Sequence, residues 1–203
     1  MVYCIDRNVQ EERTKQAFAQ LVHKRKMSWE FALLDFIQTL RTPVGDFIWP
    51  AITVLGNGGI FWILLTIALL INKKTRKSGW ILMAALLVDL ILCNGVIKNA
   101  VARTRPYTIN SSIQLLINQP TEFSFPSGHT AVSFTAVTAL FLAKEKILWK
   151  IALVLAVLIA FSRLYLYVHF PTDILGGVIV GVIAGVVGYY LVEFIYKKKS
   201  NLG

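Results

Sequence analysis

Two histidines, one aspartate and three cations sit in three short stretches of a mostly apolar chain. The first stretch is Lys98-Asn-Ala-Val-Ala-Arg-Thr-Arg105-Pro106, the second is Pro126-Ser127-Gly128-His129, and the third runs from Ser162 and Arg163 through His169 to Asp173. Lys98 and Arg105 are seven residues apart, which on a helix puts them roughly 20° from a common stripe. Two cations so placed repel unless an anion bridges them; the alternative is snorkelling to lipid headgroups. Arg103 faces another side of such a helix and reads as an ordinary surface cation. Ser127 suits the cap of the apolar helix that follows, and Gly128 lets a ligand approach the backbone. Free N–H groups there make an anion site; the plain alternative is a simple cap. His169 and Asp173 are four apart, with Pro171 suited to a first helical turn. An aspartate one turn away can take the Nδ1–H of the histidine and leave Nε2 free as a nucleophile. A lone histidine at a span end is otherwise a satisfied interfacial residue. The remaining histidine, His23, lies in a basic N-terminal segment. Two histidines without a nearby cysteine or acidic cluster fall short of the ligands a metal needs, so neither metal nor cofactor is expected. The set points instead to metal-free phosphoryl transfer, with Lys98, Arg105 and Arg163 neutralising the phosphate oxygens.

Such residues need elements to hold them. The 203 residues are 56% hydrophobic and 16% charged, with a formal net charge of +10. A soluble domain carries about 25% charged residues, and long apolar runs recur here, so the chain reads as a multi-pass membrane protein. Cys4 and Cys93 support no disulfide framework. Residues 1–26 are polar, without the apolar core of a cleavable signal peptide. Phe18, Leu21 and Val22 recur there at helical spacing beside Lys24, Arg25 and Lys26, as in an interfacial amphipathic helix or a plain solvated one. Apolar runs cover residues 52–71, 80–97, 131–143, 147–162 and 174–192. A weaker one, 29–50, is interrupted by Glu30, Asp35, Arg41 and Asp46, and Pro43 and Pro50 suggest a break in it.

Charge placement decides how that weak run is read. Basic residues cluster before residue 28, at Lys73, Lys74, Arg76 and Lys77, at Lys144, Lys146 and Lys150, and at Lys197, Lys198 and Lys199. Six spans put all four clusters on one face, which the positive-inside rule makes cytoplasmic; five would turn the N-terminal cluster outward. The expectation is therefore an all-α integral membrane protein, a six-transmembrane-helix bundle with both termini cytoplasmic and a first span within 28–51. It divides into a cytoplasmic segment 1–28, a six-span domain 29–196 and a basic tail 197–203. Arg41, Lys98, Arg103, Arg105 and Arg163 stand outside the clusters, the last four at the outer span ends. Nucleic-acid binding is excluded because the clusters spread along one membrane face. Asp89, inside the third span, is read as a structural polar contact with Asn94 as a possible partner, against the functional role that intramembrane carboxylates often have. Gly177, Gly181 and Gly185 form a stripe for packing within the bundle rather than for dimerisation. The loop 107–125, with Glu122, either covers the site or is simply ordered.

The three stretches have the forms K-x6-R-P, P-S-G-H and S-R-x5-H-x3-D. In that order and spacing the chain resembles the type 2 phosphatidic acid phosphatase superfamily, and within it the small bacterial six-span members, over roughly residues 30–195. The Thr53-Val-Leu-Gly56 stretch is similar to the family's first outer turn. The resemblance implies that His169 attacks phosphorus to form a phosphohistidine and that Asp173 orients it. It implies that His129 protonates the leaving oxygen and then activates water. Lys98, Arg105 and Arg163, with Ser127 and the Gly128 amide, would hold the phosphate. The expected activity is that of a lipid phosphate phosphatase on the outer face of a bacterial cytoplasmic membrane. Phosphatidylglycerophosphate ranks first as substrate, undecaprenyl pyrophosphate is the alternative and phosphatidic acid the third. A non-enzymatic lipid-binding protein and a vanadate-dependent haloperoxidase rank below these. The expected partners are the bilayer and a phospholipid or polyprenyl phosphate substrate, with no nucleic acid and no obligate protein partner.

Overall fold

The computed structural model describes residues 28–200, all helical or loop with no strand among them. The N-terminal basic cluster, the amphipathic stretch around Phe18 and the segment reading of 1–28 fall almost wholly outside the described residues.

Helix α1 (Ser28–Thr39) ends before a short break, and α2 (Pro43–Val54) follows. Thr42 caps α2, its side chain accepting from the Gly45 amide at 3.0 Å, and Pro43 supplies a first turn that needs no donor. The break therefore falls before Pro43, while Pro50 is carried inside the helix. A turn at Asn57–Gly59, with Gly58 and Gly59 at φ +56° and +67°, bends the chain by 43° into α3 (Ile60–Ile71). Side chains larger than glycine rarely adopt that left-handed backbone. Helix α4 (Arg76–Asp89) leads through a π-helical stretch, Leu90–Ile97, into the single turn α5 (Lys98–Val101). There the Lys98 amide bonds the Cys93 carbonyl, one residue further back than in an α-helix. After α6 (Pro106–Ile109) and a long loop come α7 (Gly128–Leu142), α8 (Leu148–Tyr165) and α9 (Pro171–Ser200).

Lys98 and Arg105 do not share one helical stripe, contrary to the reading from their spacing. Ala102 closes α5 in the left-handed region, at φ 48°, and Arg105 is extended before Pro106, as the residue before a proline tends to be. Both side chains still reach the same cavity.

Trp62, Ile81, Leu82, Ala85, Leu140, Ala156 and Ile159 form the main core between α3, α4, α7 and α8. Helix α9 closes onto it through its glycines. A Cβ on Gly181 would lie 2.5 Å from the Ala131 carbonyl, and one on Gly188 2.4 Å from Ala85 Cα. The stripe thus packs inside the bundle. Outward faces carry Ile63, Leu64, Leu87, Val154, Ile179 and Leu191, the surface a bilayer would cover.

Three helices, Arg76–Ile109, Leu148–Tyr165 and Pro171–Lys199, are long and apolar enough to cross a membrane. A fourth is added if the pair Pro43–Val54 and Asn57–Ile71, bent by 43°, counts as one. Six spans are not reached among the described residues. In particular, the expected first span within 28–51 does not form as one helix. Helix α1 lies at one end of the bundle, where Glu30 bonds Thr172, Asp35 accepts from Tyr167 and Gln38 donates to the Tyr165 carbonyl. The acids that interrupted the apolar run are satisfied there by the ends of α8 and α9, which a transmembrane course would deny them. The opposite end gathers the later basic clusters, with Ser78 bonded to Glu145 and Lys77 paired with Glu193.

Candidate active site

The stretches singled out in the sequence converge at the end where α7 and α9 begin and α8 stops. A cavity of about 1030 Å³ opens there, lined by Lys98, Arg105, Gly128, His129, Arg163 and His169. It continues between α3 and α4 along Ile63, Ile67, Leu70, Met83, Leu86 and Leu87. One ligand space therefore has a cationic head and an apolar flank.

Its cations are held at fixed positions. Arg105, 5% exposed, donates from Nη1 to the Val168 carbonyl at 2.9 Å, and from Nε to the Glu122 carbonyl at 2.6 Å. Arg163 donates from Nη1 to Thr53 Oγ1 at 2.6 Å, while its Nε, buried, has no hydrogen-bond partner. Lys98 is paired with the Glu122 carboxylate at the mouth, which that ammonium holds below the usual carboxylate range. Buried donors without acceptors are costly, so this arrangement favours an anion.

His169 is 2% exposed, in the short connection between α8 and α9. Arg105 Nη1 lies 3.2 Å from its Nε2. A guanidinium can only donate, so Nε2 is the bare nitrogen and Nδ1 carries the proton. Nδ1 points at Asp173 Oδ2 from 3.4 Å, an ion-pair distance without hydrogen-bond geometry. Burial pushes the imidazole down to about 3, with Asp173 opposing the shift and Arg105 and Arg163 adding to it. The ring is thus neutral and nucleophilic at ordinary pH. Asp173 is fully buried; it accepts from the Phe170 amide at 2.8 Å and from the Ser124 hydroxyl on Oδ2, and from Arg103 at 2.6 Å on Oδ1. A carboxylate so engaged serves to orient rather than to take a proton.

His129, in the first turn of α7, has its Nε2 2.8 Å from Asn57 Oδ1. Gly56 packs edge-on against the same ring. Ser127 does not reach the cavity. Its hydroxyl is fully buried as the α7 cap, accepting from the Thr130 amide and hydroxyl, while Gly128 lines the cavity. Asp89 lines the apolar part of the cavity, with Oδ1 buried and unpartnered. Among the described residues no three His, Cys, Asp or Glu side chains converge on a metal position.

Sequence reasoning missed Arg103, Glu30, Asn57, Ser124 and the part Thr53 plays. A signal existed for two of them. Arg103 was an outer-end cation outside the topological clusters, and Glu30 was a carboxylate in an apolar run, a placement that calls for a partner.

The PAP2 superfamily profile matches residues 78–197. The chain is 37% identical over 120 residues to the undecaprenyl-diphosphatase of Sulfolobus acidocaldarius, covering 59% of this chain and 58% of that protein. It is 35% identical over 162 residues to phosphatidylglycerophosphatase B of Bacillus subtilis, covering 74% of this chain and 71% of that protein. The crystal structure of a transmembrane PAP2-type phosphatidylglycerolphosphate phosphatase from Bacillus subtilis superposes with a TM-score of 0.65 at 27% identity, covering 91% of this chain and 96% of the other.

Proposed function

Because the chain belongs to the PAP2 superfamily, we propose that it is a membrane lipid phosphatase working through a phosphohistidine at His169. The observation that carries this reading is the composite cavity: a cradle of Lys98, Arg105 and Arg163 around two histidines, continuous with an apolar groove between α3 and α4. A phosphate with a hydrocarbon chain attached matches both parts, and a soluble phosphate ester matches only one.

In the first step His169 Nε2 attacks phosphorus. The bond to the leaving oxygen breaks as His129 gives that oxygen its proton. Arg105, which donates to Nε2 in the resting site, transfers its donor to a phosphate oxygen. In the second step neutral His129 takes a proton from water, whose oxygen attacks the phosphohistidine. The P–N bond breaks and inorganic phosphate leaves. Uncatalysed hydrolysis of phosphate monoesters is among the slowest of biological reactions, and a covalent route within fixed cations divides its barrier.

Phosphatidylglycerophosphate, giving phosphatidylglycerol and phosphate, is the first substrate of this reading, supported by the Bacillus subtilis relatives. Undecaprenyl pyrophosphate is the second, supported by the 37% identity to the Sulfolobus acidocaldarius protein. Phosphate release from a panel of these lipids in detergent tests both. Turnover should fall to background in His169→Ala and persist in EDTA. Full activity in His169→Ala would remove the mechanism.

The same reading takes Arg76–Ile109, Leu148–Tyr165 and Pro171–Lys199 across the bilayer, with α7 packed among them. The end bearing Lys73, Lys74, Lys144 and Lys197 would face the cytoplasm and the site the outer leaflet. A topology reporter fused after Lys199 should then read as cytoplasmic. An external signal would reverse the orientation.

A further inference from the structure

We propose that Glu30 of α1 and Arg103 of the loop after α5 are positioning residues for the nucleophile, acting through Asp173. The proposal rests on His169 being the nucleophile.

Both terminal nitrogens of Arg103 are engaged. Nη1 donates to Asp173 Oδ1 and to Thr172 Oγ1, each at 2.6 Å, and Nη2 donates to Glu30 Oε2 at 2.6 Å. Glu30 turns its other oxygen to the Thr172 hydroxyl, at 2.5 Å. The Arg103 guanidinium also lies 4.1 Å from the centre of the Phe170 ring, the residue after His169. Its carbonyl accepts from the Ser124 amide at 2.8 Å, and the Ser124 hydroxyl donates to Asp173. One arginine thus holds the aspartate, the ring beside the histidine and the loop that bonds the aspartate from its other oxygen. Glu30 fixes the arginine from a helix outside the main bundle.

Neither Glu30 nor Arg103 lines the cavity, so their effect on turnover must pass through Asp173. The side chains of Glu30 and Asp173 are 5% and 0% exposed. Two carboxylates there would repel in a medium of low dielectric, and the shared guanidinium offsets that repulsion. Without it, Asp173 Oδ1 loses its donor and the carboxylate is held through Oδ2 alone. Nδ1 of His169 already stands 3.4 Å from Oδ2, so a small rotation separates them. A misplacement of about 1 Å can cost on the order of 10²-fold in rate.

The charged and titratable groups facing His169 and Asp173 are Glu30, Arg103, Arg105, Arg163, His129 and, at the cavity mouth, the Lys98–Glu122 pair. Removing the positive charge of Arg103 favours the protonated form of His169. The acid limb of kcat/KM should therefore move to higher pH.

The test is phosphate release by full-length Arg103→Gln, Arg103→Lys, Glu30→Gln and Glu30→Asp, beside His169→Ala. Vanadate inhibition serves as a measure of an intact cradle. Arg103→Gln should lose on the order of 10²-fold in kcat, and Glu30→Gln roughly tenfold, as for partners one step removed. In both, the vanadate inhibition constant should stay unchanged; the acid limb should rise in Arg103→Gln but not in Glu30→Gln, which removes a negative charge. Arg103→Lys and Glu30→Asp should recover part of the loss. If His169→Ala is inactive but Arg103→Gln keeps wild-type kcat and pH profile, the positioning role is wrong. Loss of turnover together with vanadate binding, without recovery in the conservative variants, would also overturn it, as it indicates a structural role. Activity in His169→Ala would instead remove the nucleophile on which the proposal stands.

Discussion

Gly56→Ala offers a sharp test of His129 as the general acid, because it adds one carbon beside that ring. Gly56 has φ −90° and ψ −8°, a conformation open to alanine, so the backbone carries no strain. The new Cβ would fall 2.6 Å from His129 Cδ2 and 3.1 Å from Ile159 Cγ2. Carbon atoms rest about 3.5–4.0 Å apart, so the contact with the ring is short by about 1 Å. Ile159 is fully buried in the core, which leaves the imidazole to move. A shift of that size stretches the 2.8 Å contact with Asn57 Oδ1 beyond hydrogen-bond range. Overpacking of this kind costs about 1–3 kcal/mol of stability. The rate cost should be larger, on the order of 10²-fold in kcat, because proton delivery to the leaving oxygen is lost. The assay is steady-state phosphate release by the purified variant, His129→Ala and the double variant, with vanadate inhibition as a folding control. The double variant should be no slower than His129→Ala, since both changes remove one function. Wild-type turnover in Gly56→Ala, or a full further loss in the double variant, would refute the reasoning.

Other outcomes follow from the same geometry. Asn57→Ala should lower kcat about tenfold by releasing His129, measured by phosphate release; unchanged kcat would deny Asn57 any hold on the ring. Glu122→Gln removes the anion paired with Lys98, so vanadate should inhibit several-fold more tightly, read from inhibition curves at low salt where exposed charge pairs count most. Gly188→Leu places a side chain where Ala85 Cα is already 2.4 Å from a Cβ. It should cost at least about 3 kcal/mol by overpacking, seen as a fall in Tm. With His169 pushed down to about 3, nitrogen NMR of labelled histidine should show it neutral, with the proton on Nδ1, from pH 7 to pH 5. Protonation within that range would contradict the environment described.

The groups able to meet a phosphate were legible because their types and intervals are chemically restrictive. Lys98, Arg105, His129, Arg163, His169 and Asp173 come together at one end of the bundle. What supports them was hidden. Glu30 and Asn57 belong to other parts of the chain, and nothing in the local sequence says which distant side chain they will meet. Arg103 was set aside by helical geometry, which fails because Ala102 interrupts the helix at φ 48°. Ser127 was read as both cap and ligand, and the structure shows its oxygen accepting from Thr130 as the cap. The six-span reading came from requiring an even number of crossings. Charge counting says nothing of the contacts of α1, which buries Phe31 and Leu34 while its acids find partners at the bundle end.

The shortness of α7 sets the depth at which the chemistry occurs. Its 15 residues rise about 22 Å, against a hydrocarbon thickness of about 30 Å. If the basic end of α7 lies at the cytoplasmic surface, as in the proposed function, His129 lies more than a helical turn beneath the opposite surface of the bilayer. On that reading a lipid phosphate would sink below its neighbours to be cleaved, and would shed much of its water on the way. Only a molecule whose chain gains contacts during that descent offsets the loss. Turnover should therefore climb with chain length at constant headgroup, and a water-soluble phosphate ester of the same head should remain a poor substrate at any concentration.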